Sequence, residues 1–386
     1  MTTALTTAQV LKQFLPRYRQ QARLTPQQAK VASLLCNCRT EALGGYRLAC
    51  DHCGFQQEHF RSCGNRHCPQ CHGVATQNWL TRRREDLLPV PYFHVVFTLP
   101  HSLNPGVKRH PETLYAVLFR AVWQTLKTFG EDPKRLDGQL GMTAVLHTWG
   151  QNLSQHVHLH CLIPGGSYHP ARDEWHAATS TYLFPVKALS RHFRGQMVSG
   201  LRAAYNRGQL AGITDTEEVG RVLNGLMSHA WVVFARGTCQ HSNTVLTYLA
   251  QYTHRIAISN ARLAHMDQDQ VTFGYKDYAA GGEHKQMSLR GEEFVRRLLL
   301  HVLPHGLMRI RHYGFLANCH RRKRLMQIRR CLQSRTQASV EEGKQEVVVS
   351  VVPHSCVSEP SQPCPRCQQG SLWIIGDIAP TKRRYH

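Results

Sequence analysis

The chain has 386 residues, 42% of them hydrophobic, and no apolar run long enough for a membrane-spanning helix. Met1 to Thr6 lacks the basic and apolar regions of a signal peptide, so the composition is that of a soluble, globular protein rather than a secreted or membrane one. A formal net charge of +22 points to a polyanionic partner, nucleic acid first, and fourteen cysteines without a secretory signal point to metal ligation in a reducing compartment.

Residues 8 to about 37 read as helical. Thr25 caps a helix whose first position is Pro26, and Val31, Leu34 and Leu35 supply its apolar stripe. Cys36 and Cys38 close the segment as packing residues or as donors to a nearby metal. Two Cys-x2-Cys knuckles follow, Cys50/Cys53 and Cys68/Cys71, with the spacing of one tetrahedral four-cysteine zinc site. Gly54 and Pro69 suit the turns that aim thiolates at one point. Cys63, His67 and His72 are surplus donors, leaving a rearranged site or a second zinc open. Arg61, Arg66, Arg82, Arg83 and Arg84 make the module basic, either around a folding staple or on a DNA-reading surface.

From Leu87 strands and helices alternate. Tyr92 to Leu99 reads as a buried strand ended by Pro100, Glu112 to Phe129 as an amphipathic helix, and Gly141 to Trp149 as a second strand. Next comes the segment from His156 to Gly166. Its alternation of His with apolar residues is a strand pattern, with His156, His158 and His160 on one face and Val157, Leu159 and Cys161 beneath. Imidazoles at i and i+2 on a rigid strand can hold one divalent cation. A strand that merely happens to carry three histidines would crowd three imidazoles with nothing to organise them. Strand, helix, strand, strand fits an antiparallel ferredoxin-like or RRM-like sheet backed by helices.

Helical stretches near 187–207 and 216–228 and a short strand from Ala230 to Ala235 lead to the segment from Asn243 to Arg255. On a helix, Tyr248 and Tyr252 project from one face a turn apart, and Arg255 continues that face. A Tyr pair at this spacing is commonly half-buried packing; beside a metal platform and a polyanionic partner it acquires chemistry. Val271 to Tyr278 reads as a strand and Glu292 to Val302 as a helix. Asn318 to Leu332 is a basic helix whose Arg321, Arg322, Lys323 and Arg324 read as phosphate contacts. The polar tail holds one more knuckle, Cys364/Cys367, with His354, Cys356, Cys319 and Cys331 as further donors. The linear partition is a helical and zinc-binding domain over 1–88, a catalytic domain over 89–320, and a basic helix and tail over 321–386.

A divalent metal on paired histidines and helix-borne tyrosines describe a DNA strand-transfer site. The metal neutralises charge growing on the scissile phosphate. An activated phenol displaces the 3′ oxygen and leaves a 5′-phosphotyrosine, whose ester conserves the bond energy. That agrees with the absence of a nucleotide-binding phosphate loop.

These residues resemble the rolling-circle, two-tyrosine HUH transposases of bacterial insertion sequences that carry an N-terminal zinc-binding domain. The resemblance runs through Gly44-Gly45 with the knuckles, Ser62 to Pro69, Phe97-Thr98-Leu99-Pro100, Trp149-Gly150-Gln151, and His156 to Gly166. It continues through Tyr248-x3-Tyr252-Thr253-His254-Arg255 and Tyr313-Gly314-Phe315-Leu316, covering roughly residues 30 to 320. It implies an α+β fold, an antiparallel HUH endonuclease sheet with backing helices preceded by a small helical, zinc-ribbon-like domain. It also implies a metal-dependent single-strand endonuclease and strand transferase that acts on single-stranded or hairpin element ends and target DNA. His158 and His160 are then the HUH pair, with His156 as third ligand and Gln151 as its competitor. Tyr248 and Tyr252 are the nucleophiles, Zn²⁺ is structural and Mg²⁺ or Mn²⁺ catalytic. No nucleotide cofactor or membrane is involved, and the expected location is the bacterial cytoplasm, on the nucleoid when DNA is bound. A replication initiator or relaxase would share the HUH site without this zinc module. A non-catalytic zinc-dependent DNA-binding protein would not need the histidine strand. A tyrosine recombinase forms a 3′ linkage without metal.

Overall fold

The computed structural model describes residues 5–71, 73, 77, 81, 83–178, 183–238, 255–278, 280–340 and 363–381. Tyr248 and Tyr252, with His72, His354, Cys356 and Arg82, lie outside the described residues. The strands are β1 (Gly45–Cys50), β2 (Gln56–Phe60), β3 (Tyr92–Thr98), β4 (Gly141–Trp149), β5 (Gln155–Pro164), β6 (Gly166–His169) and β7 (Glu174–Ala177). After them come β8 (Val233–Thr238), β9 (Leu263–Met266), β10 (Gln270–Asp277), β11 (Glu283–Arg290), β12 (Ile310–Gly314) and β13 (Leu372–Ile378). No described helix is long and apolar enough to cross a membrane.

Backbone packing divides the chain differently from the linear partition at 88 and 320. One unit joins residues 1–74, 258–302 and 340–386, and the other joins 75–257 and 303–339. In the first unit the N-terminal stretch is two helices. Thr7–Gln21 starts with a capping box from Thr6 to Gln9, and Pro26–Cys36 with one from Thr25 to Gln28. Both satisfy backbone N–H groups that a helix start leaves unpaired. The unit also holds two three-stranded antiparallel sheets, β13-β1-β2 and β11-β10-β9. The Gly291–Leu300 helix packs beside the latter, with Phe294 edge-on to Phe273 at 5.8 Å. Thr7 reaches Asn260, whose side-chain oxygen accepts from the Thr7 backbone and hydroxyl at 3.0 Å each.

The second unit is built on an antiparallel five-stranded sheet, in the order β12-β4-β5-β3-β8. Together with the helices and zinc-module sheets, this is the α+β architecture expected from the sequence. Its central strand is the histidine strand. Val157, Leu159 and Cys161 point to one side, fully buried, into a core closed by the Pro111–Gly130 and Val186–Asn206 helices. Leu118, Val122, Phe193 and Met197 line those helices on that side. Truncating Leu159 to Ala would cost about 2–5 kcal/mol through lost burial and the cavity left behind. The alternation that buries these residues places the histidines on the opposite face.

At the end of β12, Gly314 has φ +61°, and a Cβ there would fall 1.7 Å from the Leu140 carbonyl oxygen. Only glycine permits this turn, which carries the chain from β12, paired with β4, to the Arg321–Val340 helix.

Candidate metal centre and nucleic-acid interface

The histidine face gathers side chains from three adjacent strands. In register, His147 of β4 lies opposite His158 of β5, and β3 runs along the other side of β5 with Thr98 opposite His158 and Val96 opposite His160. His147, His158 and His160 bring one ring nitrogen each to within 4.8 Å of one another. The Nε2 atoms of His158 and His160 are 3.0 Å apart. Two nitrogens about 2.1 Å from one cation and at right angles to each other stand ~3.0 Å apart, so this spacing fits a shared ion.

Neighbouring groups orient the rings. His158 Nδ1 lies 2.9 Å from the His156 carbonyl oxygen, a contact that places the proton on Nδ1 and leaves the Nε2 lone pair available. His160 Nδ1 lies 2.8 Å from His94 Nε2 on β3. If His160 donates there, its Nε2 lone pair is likewise available. Burial pushes His158 down to about 4, helped by His156 and by the positive charge of Arg255, and holds His160 well below the ordinary histidine value. Burial alone brings His94 to about 4. The rings are therefore neutral at pH 7, the state that binds a cation.

The third member of the cluster differs from the expectation. His156 turns its Nδ1 toward His101 Nε2, 3.1 Å away, and the ring grouped with His158 and His160 is His147. His147 is almost fully buried and stacks on Trp149 at 4.7 Å. Gln151 lies in the turn between β4 and β5. A histidine inside the apolar run of β4, and another inside β3, were the sequence signals for His147 and His94. Their alignment with His158 and His160 depends on strand register.

Arg255 is exposed, and its charge is felt at His158 and His160. Its carbonyl oxygen accepts from Arg309 Nη1 at 3.0 Å, and Arg309 is itself tied to β4 because its carbonyl accepts from the Leu146 N–H at 3.0 Å.

The basic helix divides into two sets. Arg321 pairs with Asp86 at 3.2 Å and donates to Asn318 at 2.9 Å. Arg324 lies over the Tyr168 ring at 5.4 Å, and Arg329 donates to the Glu85 and Leu87 carbonyls. These three anchor the helix. Arg322, Lys323 and Arg330 are exposed, with heads available to phosphate.

The four cysteines assigned to one zinc site separate into two clusters. Cys68 and Cys71 converge with Cys38 and Cys63, all four sulfurs lying within 4.8 Å of one another. Cys38 and Cys71 are 3.4 Å apart, and Cys63 and Cys71 3.5 Å. Cys50 and Cys53 instead face Cys364 and Cys367. Of the other donors considered for the C-terminal knuckle, Cys331 contacts the Asp173 carbonyl and Cys319 is exposed.

Comparison with known proteins agrees with this assembly. Residues 10–99 match the family described as "Transposase zinc-binding domain", and residues 141–324 match the family described as "Putative transposase". The chain is 40% identical to a protein named "Putative transposase y4qJ" from Sinorhizobium fredii over 381 residues, 95% of this chain and 94% of that one. It is 27% identical to the transposase for insertion sequence element IS801 of Pseudomonas savastanoi pv. phaseolicola over 292 residues, 73% of this chain and 68% of the relative. No solved structure matches. With its zinc-binding module preceding the histidine-bearing sheet, the chain belongs to the rolling-circle insertion-sequence transposases of the IS91/IS801 type.

Proposed function

We propose that this transposase cuts and rejoins single DNA strands at the ends of its element, with Tyr248 and Tyr252 as nucleophiles and His147, His158 and His160 holding a catalytic Mg²⁺ or Mn²⁺. The observation that carries this reading is the convergence of three imidazoles on one face of a rigid sheet. When bound, the cation draws electron density from the scissile phosphate and stabilises the charge that grows on it. The chain's own residues do the rest. A tyrosine Oη attacks phosphorus, losing its proton; the P–O3′ bond breaks, and the departing 3′ oxygen takes up a proton. The new P–Oη ester is reopened by a 3′-hydroxyl in the reverse step, so no nucleotide is consumed. Supporting this, the described residues that flank the tyrosine-bearing stretch in sequence are β8, which pairs with β3, and Arg255, whose charge reaches the histidines.

The test is incubation of the protein with single-stranded element ends and Mg²⁺ or Mn²⁺. A covalent adduct at the 5′ phosphate, dependent on metal, is the expected product. DNA retention with no adduct under any metal would leave only a DNA-binding protein. Nitrogen donors favour Mn²⁺ over Mg²⁺, so Mn²⁺ is expected to saturate cleavage at the lower concentration.

His94 acts as a positioning residue through His160. His94→Ala is expected to weaken metal affinity about 10–100-fold, as loss of a ligand's hydrogen-bond partner does, with activity restored by excess Mn²⁺. A loss that no metal concentration restores would mean that His94 does more than orient its neighbour.

Affinity for single strands is expected to fall with salt, by about 0.7 in log K per log salt for each phosphate neutralised. Arg322→Ala with Lys323→Ala should shallow that slope by about 1.4, counting ~0.7 for each charge. Arg321→Ala should instead lower thermal stability. If the double variant keeps the parent slope, the exposed face of this helix does not meet DNA.

A further inference from the structure

We propose a second structural zinc site, formed by Cys50 and Cys53 with Cys364 and Cys367, that fastens the C-terminal knuckle into the N-terminal zinc-binding module. Cys364 and Cys367 lie beyond both stretches that match known families, residues 10–99 and 141–324.

The sulfur geometry is the first support. Cys50 and Cys367 are 3.7 Å apart, as are Cys53 and Cys364, and all four sulfurs lie within 4.8 Å of one another. Zinc with four thiolates at ~2.3 Å in a tetrahedron sets neighbouring sulfurs ~3.8 Å apart.

The backbone around the sulfurs is arranged for thiolates. The N–H groups of His52 and Cys53 point at Cys50 Sγ at 3.4 and 3.5 Å, and that of Gly370 at Cys367 Sγ at 3.4 Å. Gly370 has no room for a side chain, because a Cβ there would sit 2.5 Å from Cys50 Sγ and 2.6 Å from Asp51 Oδ1. Glycine at this position lets the two knuckles close on each other. Asp51 holds them in register, since its carboxylate accepts from the Ser371 N–H at 2.8 Å and from Trp373 Nε1 at 3.0 Å.

Energetics favour a metal at this junction. β13 pairs with β1 from Gly45 opposite Ile378 to Cys50 opposite Leu372. Yet the buried core at this junction is small, Leu48, Cys50, Cys364 and Leu372 with Tyr46, Phe55 and Cys367 partly buried against it, and Trp373, Ile374 and Ile375 are largely exposed. So small an apolar cluster offsets little of the entropy of ordering both knuckles and closing the chain between Cys53 and Cys364. A zinc–thiolate site supplies folding energy directly. Four packed thiols without metal would leave their N–H donors aimed at neutral sulfur and the junction without its main bond.

The experiment measures zinc released from the full-length protein by a mercurial thiol reagent, with a metal-sensitive dye as readout. The reagent counts zinc held by thiolates and passes over any held by histidines. The parent is expected to release two equivalents, Cys364→Ser/Cys367→Ser one, and Cys68→Ser one. One equivalent from the parent, or two from the Cys364/Cys367 variant, overturns the proposal. If that variant does not fold, cobalt substitution of the parent decides. Sulfur-to-cobalt charge-transfer absorption equal to two four-thiolate sites upholds the proposal, and that of a single site overturns it. Neither readout depends on strand cleavage.

Discussion

His158→Ala and His160→Ala are each expected to lower single-strand cleavage by about 10³-fold or more while leaving DNA affinity within a factor of about two. The size follows from the several kcal/mol of transition-state charge stabilisation a catalytic metal contributes, at ~1.4 kcal/mol per tenfold in rate. Affinity is expected to survive because the exposed basic residues proposed to meet phosphate, such as Arg322 and Lys323, lie outside the cluster. His147→Ala belongs in the same class, because its ring completes the cluster. His156→Ala is expected to keep most activity, since that ring faces His101 instead. Cleavage rates against Mn²⁺ concentration, with binding measured in parallel, separate the four variants. Near-parent cleavage by His158→Ala or His160→Ala in Mg²⁺ would remove the metal platform from the mechanism. A severe loss in His156→Ala with little loss in His147→Ala would exchange the two as third ligand.

The tyrosines carry the other large effect. In the proposed scheme one 5′ end is held covalently while the other end is processed, so one phenol stays esterified as the second attacks unless a free 3′-hydroxyl or a second subunit resolves the first adduct. Tyr248→Phe and Tyr252→Phe are each expected to retain some single-strand cleavage and lose complete transposition. The double variant should form no adduct, a loss of at least about 10⁴-fold if a covalent nucleophile is worth what it is elsewhere. Mass spectrometry of the adduct peptide in each single variant identifies the phenol used. If every adduct maps to one tyrosine and the Phe variant of the other transposes normally, the chain uses a single nucleophile. The HUH assignment would survive that result.

Several features were decided by local sequence. The alternation from His156 to Cys161 placed histidines on one face of a strand and apolar residues on the other, because side-chain direction in a strand has period two. Thr25 before Pro26 marked a helix start because a capping hydroxyl and a fixed φ act within one turn. The order of motifs along the chain was sufficient to identify the family, as the matches over 10–99 and 141–324 bear out.

What the tertiary structure decided was partnership. His147 joins His158 because β4 and β5 pair in one register, and a shift by a single residue would have turned it to the other face. Spacing alone coupled Cys50/Cys53 to Cys68/Cys71, the nearest knuckle in the chain. In the fold the β1–β13 pairing brings Cys364 and Cys367 to the first knuckle, and Cys38 and Cys63 complete the second. A Cys-x2-Cys motif specifies a half-site through its own tight turn. The other half is chosen by which strands pair, and a long intervening chain adds only slowly to the entropic cost of that choice.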